Sequence, residues 1–146
     1  MRDYSVYDIT PPSLFILANG PNIYMCGMSE DERTKIKNIY ENAIYDSEIA
    51  FYYNENQISD DTVAWTEIAI QRAHFVIVNI ENVSATEQYL IDNTLTNDGD
   101  DDIVIYYSKS GLNSTMARLL ASNGEIVIFN LNELEVIIKE IIESDQ

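Results

Sequence analysis

TVAWTEIAIQRAHFVIVNIENVSATE, residues 62–87, is the stretch on which the reading of this chain turns. Trp65, Ile68 and Ala69 fall on one side of a helical period, so its first part predicts an amphipathic helix. His74 marks a tight turn, and residues 75–80, FVIVNI, form an apolar run of strand length. A run with no polar face belongs in a sheet covered on both sides. A polar loop follows, and a second helix opens at Ser84. Helix, buried strand, loop and helix make the centre of an α/β sheet, where ligands sit beyond the carboxyl ends of the strands. The loop from Glu81 to Glu87 is therefore the first place to look for chemistry.

The same alternation extends in both directions. Upstream, SLFILA at 13–18 reads as a strand buried on both faces, with Asn19-Gly20-Pro21-Asn22 as the turn at its end. Residues 23–28 fit either a short strand or an inward-packed loop. Ser29-Glu30-Asp31-Glu32 has the capping-box form, and Ile36, Ile39, Tyr40, Ala43 and Ile44 then trace one apolar helical face ending near Asp46. IAFYY at 49–53 is the next strand, and Ser59-Asp60-Asp61 offers a hydroxyl or a carboxylate to cap the helix after it. Downstream, a helix from Ser84 to about Leu95 gives way to an acidic loop, Thr96 to Asp102. The strand IVIYY at 103–107, the loop Ser108 to Asn113 and a helix through Leu120 follow, with Ser122-Asn123-Gly124 as its stop. EIVIF at 125–129 is the last strand, and Asn130 caps a final helix carrying Leu134, Ile137, Ile138, Ile141 and Ile142.

These elements predict an α/β fold: a three-layer, doubly wound, mostly parallel five-stranded sheet in a Rossmann/flavodoxin-like layout. Residues 1–12, closing in Pro11-Pro12, read as an N-terminal arm or edge segment, and residues 13–146 as one domain.

Composition narrows the function classes. Twenty-five acidic against eight basic residues give a formal charge of -17, which argues against direct binding to a nucleic-acid backbone, since phosphate contacts are made by Lys and Arg. The excess fits a solvated acidic surface or a protein partner with a basic surface. No apolar run approaches the roughly 18 residues that span a bilayer, so no membrane partner is expected. Met-Arg-Asp-Tyr-Ser at the start has no apolar segment behind it, so a signal peptide is not expected. The single cysteine, Cys26, rules out an internal disulfide and suits a reducing cytoplasm, a host's cytoplasm or a virion. The 21 Ile and 14 Asn residues match compositions associated with AT-rich genomes, phages among them.

Three strand-end loops hold the usable polar groups. Asn19 to Asn22 is one, with Asn19 and Gly20 as candidate substrate contacts. Glu81 to Glu87 is the second, with two carboxylates flanking a helix start and Asn82 between them. The third runs from Ser108, where Lys109, Ser110 and Asn113 precede helix N–H groups that can hold an anion. The glycine spacings of phosphate and dinucleotide loops are missing, and His74 has no second ligand or nucleophile at a readable spacing, so neither a metal nor a cofactor is expected. Ser84-x-x-Glu87 is also a capping box, and it has a purely structural reading as well.

The layout resembles the nucleoside 2-deoxyribosyltransferase-like family. Leu17-Ala18-Asn19-Gly20-Pro21 stands for a first strand ending in LAGP; Trp65 to Ile80 for a helix with an early Trp entering an apolar strand; and Thr86-Glu87 for the Thr and Glu that open the next helix. By that resemblance Glu87 is the nucleophile at the anomeric carbon of the sugar, and Glu81, six positions earlier, helps to place the substrate. The resemblance further implies sites completed across subunits, hence a homo-oligomer or assembly subunit. Where the family has D-x-G-T-A-x-E-x-G, this chain has no glycine and puts Tyr89 beyond the Glu, which leaves room for a degenerate copy. The expected function is a deoxyribosyltransferase-like domain handling a nucleoside, nucleotide or related ribosyl ligand. The alternative is a non-catalytic interaction or structural protein, such as a phage assembly component or an acidic inhibitor of a basic partner.

Overall fold

The computed structural model describes residues 5–11, 13, 20–98 and 103–144. The described elements run β1 (Val6–Ile9), β2 (Asn22–Cys26), α1 (Glu30–Ala43), β3 (Ile49–Tyr52), α2 (Val63–Arg72), β4 (Phe75–Asn79), α3 (Ala85–Asp98), β5 (Ile103–Tyr107), α4 (Thr115–Ser122), β6 (Ile126–Ile128) and α5 (Glu133–Ser144). A short 3-10 turn, Gly111–Asn113, precedes α4. The six strands form one sheet in the order β1-β3-β2-β4-β5-β6, and every neighbouring pair is parallel.

Helices cover both faces. Ile36 and Tyr40 of α1 and Leu134 and Ile138 of α5 pack on one face against Ile23, Met25, Phe51 and Ile77. Ala69 and Ile70 of α2 and Leu90 and Ile91 of α3 pack on the other against Tyr24, Cys26, Tyr52, Val76 and Val78. Alternate residues of β2, β3 and β4 thus serve opposite cores, which explains why these central strands have no solvent-facing side. Each fully buried large side chain contributes about 1.5–3 kcal/mol. His74 joins β2 to β4 at the amino end of the sheet: its N–H donates to Asn22 O at 2.7 Å and its Nδ1 accepts from Asn22 N at 3.0 Å.

The three-layer parallel fold is as expected, with four differences in detail. The sheet has six strands and not five. Val6–Ile9, from the segment read as arm or edge, takes an edge position beside β3, where Pro11 just beyond it interrupts no ladder. Residues 22–26, left undecided between strand and loop, are a central strand with every residue buried. The expected strand at 13–18 lies, apart from Ser13, outside the described residues. Residues 96–98 continue α3 instead of beginning the acidic loop, whose remainder at 99–102 is outside the described residues.

Helix starts also differ from one another. Ser29 and Glu32 form the full reciprocal capping box of α1. At α2 the cap is Thr62, not Ser59 or an Asp, and its hydroxyl accepts from Ser59 N at 2.9 Å, leaving no side-chain cap on the helix. The buried face of α2 is Thr66, Ala69 and Ile70, with Ile68 exposed. Thr66 can be buried because its hydroxyl donates to Thr62 O at 2.8 Å.

Candidate functional site

Strand order reverses between β2 and β4: the chain moves outward to β3 on one side and to β5 and β6 on the other. Helices α1 and α3 leave these two strands for opposite faces of the sheet, so a crevice opens at their carboxyl ends. Gly27, directly after β2, forms one wall. Its φ is +73°, and a Cβ there would lie 3.0 Å from Val83 N and 3.1 Å from Asn82 C. Only glycine lets the two loops approach this closely. The facing loop is built by Asn79, whose side chain accepts from Glu81 N at 3.1 Å and whose carbonyl accepts from Asn82 N and Val83 N. That turn delivers Ser84 and Glu87 to the start of α3.

Glu87 is half-buried in the first turn of α3. Its N–H donates to Ser84 Oγ at 3.1 Å, as a cap would have it. Its carboxylate goes elsewhere: Tyr24 Oη donates to Oε2 at 2.9 Å, while Ser84 Oγ lies 3.4 Å from Oε1. The Cys26 thiol lies close enough to feel the charge of the same carboxylate. Tyr24 and Cys26 sit two apart on β2, so both reach the α3 face, and both are wholly buried. Burial, then the Glu87 charge, pushes the Cys26 thiol and the Tyr24 phenol well above their ordinary ranges, so both remain neutral donors at neutral pH. Asn54 Nδ2 donates to Tyr24 Oη at 2.9 Å and to Thr66 Oγ1 at 3.0 Å.

Glu87 opens onto a cleft of about 250 Å³. Its walls are Gly27 and Met28 after β2, Asn82 and Ser84 after β4, and the loop from Tyr53 to Gln57 after β3. Arg33 supplies the one cation among the described lining residues. Its Nη1 donates to Met28 O at 2.9 Å and its guanidinium lies 4.3 Å from the centre of the Tyr53 ring. Neither of the ion pairs among the described residues, Lys37–Asp8 and Lys139–Glu135, involves Arg33. A guanidinium held by a carbonyl and an aromatic face keeps donors free for an anion. The same Arg33, with Tyr53 and Glu55, borders a neighbouring cleft of about 340 Å³.

The expected site residues are distributed unevenly around this cleft. Glu87 and Asn82 line it. Glu81 is turned toward the loop after β5, where its carboxylate accepts from Ser108 Oγ at 3.1 Å and Ser110 N at 3.0 Å, and it is not among the cleft's lining residues. Ser110 is thereby occupied with Glu81. Lys109 and Asn113 are exposed on that same loop and line neither cleft. Gly20 lies at the amino end of the sheet, where a Cβ would collide with Glu48 O just before β3, so it is at the opposite end from Glu87. The glycine at the crevice is Gly27. Asn19 lies outside the described residues. Tyr89, two residues beyond Glu87, is 65% exposed and is not among the cleft's lining residues. Tyr24, Cys26, Gly27, Arg33 and Asn54 are not among the candidate site residues that the sequence offers. Only the helical spacing of Arg33 from Ser29, one turn inside a cap that follows a strand, could have pointed to the cleft.

No family model and no curated protein matches the chain. Among solved structures the chain is similar to the CMP N-glycosidase BcmB of Clostridium botulinum, with 15% identity and a TM-score of 0.47 over 80% of this chain and 98% of that one. Among the described residues no helix is long and apolar enough to cross a membrane.

Proposed function

We propose that the protein acts on the N-glycosidic bond of a nucleoside or nucleotide, with Glu87 as the nucleophile. The observation that carries this reading is the direction of the Glu87 side chain. A glutamate in a cap motif that served only the helix would return to the Ser84 backbone N–H, yet this one is held by Tyr24 at the edge of a cleft. With Oε2 anchored, Oε1 is the freer oxygen. Attack by Oε1 at the anomeric carbon forms a glycosyl ester as the bond to the base nitrogen breaks, and the bonding pair leaves with the base. A proton delivered to the base completes departure, and water or a second base then takes the sugar from the ester. Of the cleft's lining residues, Asn82 bonds sugar hydroxyls in this proposal, and Arg33 meets the phosphate of a nucleotide. In this reading Glu81 acts from the rim, by ordering the Ser108–Ser110 loop.

The test is incubation with a panel of nucleosides and nucleoside monophosphates, in both ribo and deoxy forms, following base release and base exchange. Intact-mass measurement should find a glycosyl adduct on the wild type that Glu87→Gln lacks. Absence of base release across the panel, or equal rates in Glu87→Gln, overturns the proposal.

A further inference from the structure

We infer that Asn54 is a positioning residue: it fixes the direction of a hydrogen-bond chain that commits the Tyr24 phenolic proton to Glu87. Three elements meet there, since Asn54 follows β3, Tyr24 lies on β2 and Thr66 lies on α2. An amide nitrogen carries two hydrogens and no acceptor, and both are used, on Tyr24 Oη at 2.9 Å and Thr66 Oγ1 at 3.0 Å. Thr66 can accept because its own proton goes to Thr62 O at 2.8 Å. Tyr24 Oη, accepting from Asn54, has one proton left, and Glu87 Oε2 stands 2.9 Å away to receive it.

The opposite orientation of the Asn54 amide is electrostatically inconsistent. Its carbonyl would then compete for the Tyr24 proton, and the phenol oxygen would face Glu87 Oε2 lone pair to lone pair at 2.9 Å. Every hydroxyl in the chain is satisfied in only one sense, from Asn54 through Tyr24 to Glu87. Reversing the donor at position 54 should therefore reverse the phenol, and Oε2 would lose its anchor without any change in the cleft's shape.

The inference builds on the role proposed for Glu87, and its test has one arm that needs no turnover. With tyrosine labelled at 13Cζ, the Tyr24 resonance, assigned by Tyr24→Phe, should shift as carboxylates are protonated on lowering the pH, and Glu87→Gln should abolish that shift. In Asn54→Asp combined with Glu87→Gln the shift should return, because the phenol now donates to the new carboxylate. A Tyr24 shift that survives Glu87→Gln, or one that fails to return in the double variant, overturns the inference. In the kinetic arm Asn54→Asp should lower kcat about 10- to 100-fold, the effect of a lost hydrogen bond to a charged group, with KM changed less than about twofold. In a Tyr24→Phe background the same substitution should cost nothing further. Asn54→Ala, which buries no new charge, repeats this cycle should the aspartate variant not fold. Losses that add to Tyr24→Phe in both variants overturn the inference. If the resonance behaves as expected and no glycoside is cleaved, the chain of hydrogen bonds stands and the proposed function falls.

Discussion

Two segments of this molecule carry the same four-residue pattern and use it differently. Ser29-Glu30-Asp31-Glu32 opens α1 and Ser84-Ala85-Thr86-Glu87 opens α3, each after the carboxyl end of one of two adjacent parallel strands. In the first, Glu32 Oε1 accepts from Ser29 N at 2.8 Å and Ser29 Oγ accepts from Glu32 N at 3.2 Å, so both polar ends are consumed by the helix. In the second only the serine half is kept, and the glutamate is drawn inward by Tyr24. What separates them is the neighbour beneath. β2 presents the buried Tyr24 phenol to the α3 face, and a carboxylate there gains more from it than from one exposed backbone N–H. A capping motif is thus evidence for a helix start and says nothing about where its acid ends up.

Exchanging each acid for its amide should break the comparison most sharply. Glu87→Gln is expected to lower kcat by about a thousandfold or more with little change in melting temperature, whereas Glu32→Gln should leave turnover unchanged, because glutamine also completes a capping box. Steady-state kinetics beside thermal melts check this pair, and equal kinetic effects would erase the distinction. Next in size is Gly27→Ala, which forces a side chain into the left-handed region against the backbone of the facing loop. A loss of about 1–2 kcal/mol or more in chemical denaturation is expected, accompanied by lower activity as residues 82 and 83 are pushed back.

Ser29→Ala and Ser84→Ala should each cost about 1 kcal/mol, since both remove a cap hydroxyl. Only the second should change kcat, because only Ser84 also touches the Glu87 carboxylate. The smallest effect concerns alkaline pH. Cys26 and Tyr24 have folded pKa values raised above their unfolded ones, so their contribution to stability is present below the unfolded values, about 8.5 and 10, and is lost as pH rises through the folded ones. Denaturation midpoints should therefore fall with increasing pH beyond about 8.5, and Cys26→Ala should flatten the first part of that decline. A midpoint independent of pH up to about 10.5 would contradict it.

Much of the fold was legible because its signals are local. The apolar runs at 49–52, 75–79 and 103–107, the Ser29 box and the stripe of α5 each announce themselves within a dozen residues. β2 was not, since the four apolar residues Ile23 to Cys26 fit a strand and a packed loop equally well, and only pairing with β3 and β4 decides between them. The site was half legible. Glu87 and Asn82 could be named from a strand-loop-helix boundary. Tyr24 meets Glu87 across 63 positions and Asn54 meets Tyr24 across 30, and no spacing rule reaches that far. Gly20 was named because Leu17-Ala18-Asn19-Gly20-Pro21 resembles a first strand ending in LAGP. β2 begins just after that stretch, so Gly20 lies at the opposite end of the sheet from Glu87, while Gly27 follows the strand's carboxyl end.

The place of β2 in the sheet also bears on how the chain is made. Both of its neighbours, β3 and β4, are later in the sequence, so a growing polypeptide carries this strand with open hydrogen-bonding edges until residue 79 has been synthesised. Parallel pairing at such separations forms slowly and leaves apolar strands exposed to intermolecular contacts meanwhile. A ribosome-held fragment ending before Phe75 should therefore recruit chaperones, whereas one extended past α3 should resist proteolysis around Tyr24.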